Sequence, residues 1–145
     1  MTYTEFSEVN SFMTNISEDQ KIVSLKALFY LANIDNKRDE LEIKFIKNLA
    51  NLYQINQSEE IFKASSEEEI IGLLKTINNR RISLELIKEM FLLGHSDSDL
   101  TDEETLFIGH AGLAMGIEIE KIEQISNWVI DKIILHEQSK IIFEE

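Results

Sequence analysis

The densest run of metal-capable side chains is Asp97-Ser98-Asp99-Leu100-Thr101-Asp102-Glu103-Glu104, with five carboxylates and no base. Carboxylates so close in sequence invite a hard divalent cation, which wants several oxygens converging at short range. An EF-hand loop does not fit. With Asp97 and Asp99 at its first and third positions, the glycine position holds Asp102 and the bidentate-glutamate position holds Ile108. The spacing leaves a looser set of His95, Asp97 and Asp99. Asp102 and Glu103 have a role that needs no ligand, since negative charge in the first turn of a helix favours its macrodipole.

Other chemistries are eliminated by residue type. The chain has no cysteine, which removes disulfides, thiolate zinc sites, iron–sulfur clusters and cysteine nucleophiles. Its imidazoles are His95, His110 and His136, and a di-iron bundle requires Glu three residues before such a histidine. Those positions are Leu92, Phe107 and Ile133. No Gly-x-Ser-x-Gly elbow and no Gly-x-x-x-x-Gly-Lys loop occurs. With 27 Asp and Glu in the chain, a pair of neighbouring carboxylates carries no catalytic information. The expectation is a protein that acts by binding, not an enzyme.

These side chains need a scaffold, and 145 residues, 43% hydrophobic, suffice for one core and not two. We expect one domain over residues 1–145. A net charge of −13 repels phosphate backbones, and the only basic doublets, Lys37-Arg38 and Arg80-Arg81, do not form a patch, so nucleic acid is not an expected partner. Residues 1–5 show neither a basic nor an apolar leader pattern, and no apolar run approaches about 18 residues, so the expectation is a cytoplasmic protein without membrane insertion. With no proline, five glycines and no alternating runs, the class is all-α.

Helix starts are marked by capping boxes, in which the third helical residue reaches back to the cap amide. Thr2/Glu5, Ser17/Gln20, Asp39/Glu42, Ser66/Glu69 and Thr101/Glu104 fit the pattern. After Ser17 the apolar positions Ile22, Val23, Leu25, Ala27, Leu28, Phe29, Tyr30 and Leu31 nearly encircle the helix, which predicts a central, buried element. Phe45, Ile46, Leu49, Leu52 and Tyr53 follow Asp39, and Leu84, Ile87, Met90 and Phe91 follow Asn79. Phe107, Ile108, Ala111 and Met115 follow Thr101, with Gly116 as the stop. A last long helix carries Ile119, Ile122, Ile125, Val129 and Ile133. With short helices near 2–13 and 58–65, the expected architecture is a compact bundle of seven or eight helices.

A shift of 62 residues superposes two helical hairpins without a gap. Phe29 falls on Phe91, Leu31 on Leu93, Asp35 on Asp97, Glu42 on Glu104, Phe45 on Phe107, Ile46 on Ile108 and Ile55 on Ile117, while the caps Ser17 and Asp39 meet Asn79 and Thr101. The unit spans residues 17–55 and again 79–117. Each copy is an apolar helix, an Asp in the turn, a capped helix with Glu at its third position, a small or apolar pair (Leu49-Ala50, Ala111-Gly112) and a following aliphatic.

This pattern resembles the TerB family of tellurite-resistance proteins and the related N-terminal domain of a membrane-anchored DnaJ-like co-chaperone. The resemblance covers about 100 residues, Ser17 to Ile117. It implies two duplicated helical hairpins in one bundle, and a cytoplasmic, non-enzymatic role in a stress-response or membrane-associated complex. It also makes Asp35, Glu42, Asp97 and Glu104 candidates for a divalent-cation site, which Asp99 joins from the acidic run. Where the family has Asp-Gly turns, this chain has Asp35-Asn36 and Asp97-Ser98. Glu42 and Glu104 also have ligand-free work in capping boxes, and Asp35 and Asp97 suit the turns themselves.

Two residues point to a protein partner. Trp128 lies one residue off the stripe of the last helix, beside Ile130, where it serves either the core or, on a helix apolar on two sides, a contact with another protein. Phe143, in Ile141-Ile142-Phe143-Glu144-Glu145, belongs to a tail too apolar to stand free, which docks on the bundle or on another chain, including a second copy of this one. The competing reading is a small acidic immunity or inhibitor protein steered to a basic toxin by its negative field. A duplication is required by the first reading and has no purpose in the second.

Overall fold

The computed structural model describes residues 16–34, 40–52, 55, 63, 65–95 and 100–144, and in residues 40–52 only part of the side chains. Every regular element among them is helical: α1 Glu18–Asn33, α2 Glu40–Leu52, α3 Glu67–Leu74, α4 Arg80–Gly94, α5 Asp102–Ala114 and α6 Ile119–Phe143. The short helices expected near 2–13 and 58–65 fall on residues that, apart from 63 and 65, lie outside those described. None of the described helices is long and apolar enough to cross a membrane.

Local chemistry sets the ends of these helices. Ser17 and Thr101 form complete capping boxes. The Ser17 Oγ accepts from the Gln20 N–H at 3.2 Å while the Ser17 N–H donates to Gln20 Oε1 at 3.1 Å; Thr101 and Glu104 do the same at 3.2 and 3.0 Å. Ser66 and Asn79 cap α3 and α4 by accepting from the N–H groups of Glu69 and Ile82, both at 3.2 Å. At the end of α5, Gly116 takes φ +80°, its N–H donates to the Leu113 carbonyl at 3.0 Å, and the Ile117 N–H donates to the Gly112 carbonyl at 2.9 Å. That pair of bonds is a Schellman closure, and the left-handed residue it needs is glycine.

Much of this recurs at the 62-residue spacing. Helices α2 and α5 have bounds 62 residues apart at both ends, and α1 and α4 begin 62 apart and end 61 apart. The Ile55 N–H donates to the Ala50 carbonyl at 3.1 Å, the counterpart of the Ile117–Gly112 bond. Leu25/Ile87, Leu28/Met90, Ile46/Ile108 and Ile55/Ile117 are buried in both copies.

The core forms around α1 and α4, which pack on each other. Helix α1 also meets α2 and α3, while α4 meets α5 and α6. Seven residues of α1 are buried, as its nearly continuous apolar surface predicts. A Cβ at position 112 would lie 2.5 Å from Ile122 Cδ1, so Gly112 lets α6 seat on α5. The ring of Tyr30 lies against Phe107, centroids 4.7 Å apart. Burial, helped by the nearby Glu67 charge, raises the Tyr30 phenol above its usual pKa.

The two copies are not equivalent in burial. Phe91 is buried, whereas its counterpart Phe29 is only partly so. In urea unfolding, Phe91→Ala is expected to lose about 3 to 5 kcal/mol and Phe29→Ala distinctly less; equal losses would contradict this placement. Ser24 is fully buried where the second copy has Leu86, and its hydroxyl has no hydrogen-bond partner among the described residues. Ser24→Ala removes a polar group with almost no loss of volume, so its unfolding midpoint should match or exceed that of the wild type.

Candidate functional site

Helices α4 and α6 leave a groove of about 460 Å³ between them, lined by Arg81, Leu84, Glu85 and Lys88 from α4 and by Lys121, Gln124, Ile125 and Trp128 from α6. Each helix contributes residues at positions i, i+3, i+4 and i+7, which is one helical face. Leu84 and Ile125, both partly buried against the core, form an apolar floor. Trp128 is 49% exposed, so the indole is outside the core and walls the groove.

The rim is cationic. Glu85 gives one oxygen to Arg81 at 2.9 Å and the other to Lys88 at 2.5 Å, which spaces the two cations along α4. Arg81 remains 82% exposed, whereas Lys88 is 11% exposed. Lys132 lies over the Trp128 ring, 5.2 Å from its centroid. Arg81, Lys88, Lys121 and Lys132 thus oppose the single lining carboxylate Glu85, in a chain whose net charge is −13.

At the neighbouring end, Arg80 Nη2 donates to Glu118 Oε2 at 2.7 Å, tying the start of α4 to the residue that precedes α6. That hydrogen bond is the main reason the exposed Glu118 carboxyl is held below its usual pKa of 4.5; its own backbone N–H and the Arg80 and Lys121 charges add to the effect against a smaller desolvation cost.

The proposed metal ligands are only partly placed. Asp35, Asp97 and Asp99 lie outside the described residues, and Glu42 is placed on α2 without its side chain. Glu104 is in the α5 capping box, its Oε1 accepting from the Thr101 N–H. Among the described residues no three His, Asp or Glu side chains gather as a metal site would require. The histidines are dispersed: His95 ends α4, His110 Nδ1 lies 3.2 Å from Glu67 Oε1 of α3, and His136 is on α6. Of the proposed partner contacts, Trp128 lines the groove and Phe143, 80% exposed, ends α6.

The sequence reading missed the cations of the groove because they are scattered from Arg81 to Lys132. Their helical spacing, i to i+7 on each helix, was the available signal. It also missed Glu89, a partnered carboxylate fully buried on α4 where the first copy has Ala27. No family model, curated protein or solved structure matches this chain.

The Arg80–Glu118 pair makes a pH prediction. A carboxyl whose folded pKa is lowered contributes its full stability above its unfolded value near 4.5 and loses it as the pH falls through the folded value. Arg80→Ala should therefore shallow the loss of thermal stability below pH 4.5, with a constant offset from wild type at neutral pH. Unchanged steepness on the acid side would mean that the pair is not formed in solution.

Proposed function

We propose that this chain is a non-enzymatic, TerB-like helical binding domain that serves a stress-response complex of the tellurite-resistance kind, and that the α4/α6 groove is where it holds a protein partner. The observation that carries the binding part is the half-exposed indole of Trp128 on an apolar floor with a cationic rim. An aromatic anchor beside a desolvated apolar surface is what a protein hot spot uses, while the surrounding charges select the partner. The groove fits a segment that offers aliphatic or aromatic side chains followed by carboxylates.

The stress-response part rests on the residue pattern quoted for the TerB resemblance, and the helix bounds recurring at 62 residues support it over the acidic-inhibitor reading. An inhibitor of a basic toxin would present carboxylates at its contact surface, and the groove presents cations.

Deleting the gene should lower tolerance to tellurite in the host cell. The wild-type gene should restore it, and a Trp128→Glu/Lys121→Glu variant that retains its helical circular dichroism and melting temperature should not. Undiminished tolerance in the deletion strain would remove the stress-response part, and full rescue by the folded variant would remove the groove.

A further inference from the structure

Helix α6 is apolar on two opposite sides. Ile122 and Val129 are buried, with Ile125 and Ile133 packed beside them against the core. At 100° per residue, Ile134, Leu135, Ile141 and Ile142 lie on a face centred roughly 180° away. All four are exposed, Leu135 at 68% and Ile141 at 82%, and no residue of α6 after Val129 is fully buried. This face leads through Leu135 back to Trp128, seven residues earlier on the same helix, and so to the groove.

We propose that the occupant of the α4/α6 groove is the end of α6 from a second copy of this chain, in a two-fold dimer built on antiparallel α6 helices. The proposal rests on the groove reading above and names its partner. Trp128, Ile134, Leu135, Ile141 and Ile142 together expose on the order of 600 Å², the lower end of what one subunit contributes to a stable interface of ordinary size. On the helix these side chains form two apolar rows, Trp128–Leu135–Ile142 and Ile134–Ile141, with Asp131 and Gln138 between them, and together they reach the upper range of what soluble monomers leave open.

The register follows from geometry. Ile142 lies fourteen residues beyond Trp128 on a continuous helix, about 21 Å along its axis, so the tail cannot reach its own groove while α6 stays helical. A two-fold axis at Leu135 sets Ile142 of each copy opposite Trp128 of the other, and Leu135 against its own equivalent. Such an interface is self-complementary, as two-fold symmetry demands.

Charge agrees with this register. The tail brings Glu144 and the negative end of the helix dipole to the level of Ser126, between Lys121 and the cations of α4. A parallel arrangement would set cation against cation at the groove and carboxylate against carboxylate at the tail. The antiparallel one makes the favourable pairing twice.

The chain has no cysteine, so a single introduced thiol gives a clean test. Light scattering of the wild type should return twice the 16.8 kDa of one chain. Under mild oxidation Leu135→Cys should give a disulfide-linked dimer in high yield, because the two-fold axis sets this position against itself. Ile119→Cys, exposed to 53% but sixteen residues from the axis, should not. Leu135→Asp should be monomeric with unchanged helical content, and the emission of Trp128, the only tryptophan, should shift to the red as the tail leaves the groove.

A monomeric wild type at about 100 μM, where a stable interface would be formed, overturns the proposal, as does equal cross-linking at positions 119 and 135. If the wild type is monomeric while the groove variant still fails to restore tellurite tolerance, the second-copy occupant is excluded and the groove reading stands. If dimer and specific cross-link are found while the groove variant restores tolerance fully, the dimer stands and the groove has no part in tolerance.

Discussion

The structure depends on the burial of α1 against α4. These two helices hold many of the residues with no access to water, among them Leu25, Leu28, Leu86, Ile87, Met90 and Leu92, and each of the other four described helices packs on at least one of them. A helix apolar nearly all round has no stable place at a surface, so α1 must be covered on several sides. Helices α2 and α3 supply that cover. The same demand on α4 brings in α5 and α6, and the polar flank of α4 then faces the polar flank of α6. The groove is therefore a by-product of covering the core, left between the facing flanks of the two helices.

Gly112 sets how closely α6 seats on α5. A methyl group there would collide with Ile122, whereas the first copy carries Ala50 at the equivalent position. Two hairpins of similar local chemistry thus differ at the site where the last helix has to seat. Ser24 against Leu86 and Ala27 against Glu89 are further departures, each at a fully buried position, so the two halves of the core are packed by different side chains within a common pattern of helix bounds.

What could be read in the sequence was what local interactions decide. The caps Ser17, Ser66, Asn79 and Thr101, the stop at Gly116 and the buried character of α1 each follow from a few neighbouring residues. The groove was not readable in that way. Leu84 reads as a core residue by its spacing from Ile87 and Met90, yet it is only partly buried and floors the groove, while Leu86 is fully buried. Which flank of α4 faces which flank of α6 depends on the crossing of two helices separated by a hairpin, and one sequence does not carry that angle. Trp128 shows the same limit: its helix was legible, and its emergence at the groove wall was not.

Net charge and the charge around the groove have opposite signs, and that sets how the proposed recognition would respond to salt. At physiological salt, charges farther apart than about 8 Å are largely screened from each other, so a segment already at the groove responds mainly to Arg81, Lys88, Lys121 and Lys132, offset by Glu85 between the first two. At low salt the screening length grows several-fold, and the same anionic segment meets the whole −13 surface first. An acidic partner is therefore repelled on approach and attracted only at contact. Its association gains as moderate salt removes the long-range repulsion, provided that the apolar anchor at Trp128 carries most of the binding. The opposite trend, weakening from the first addition of salt, belongs to a surface whose long-range field attracts its partner, as an acidic inhibitor's would attract a basic toxin. The sign of the salt dependence thus separates binding through this groove from binding through the acidic remainder of the molecule.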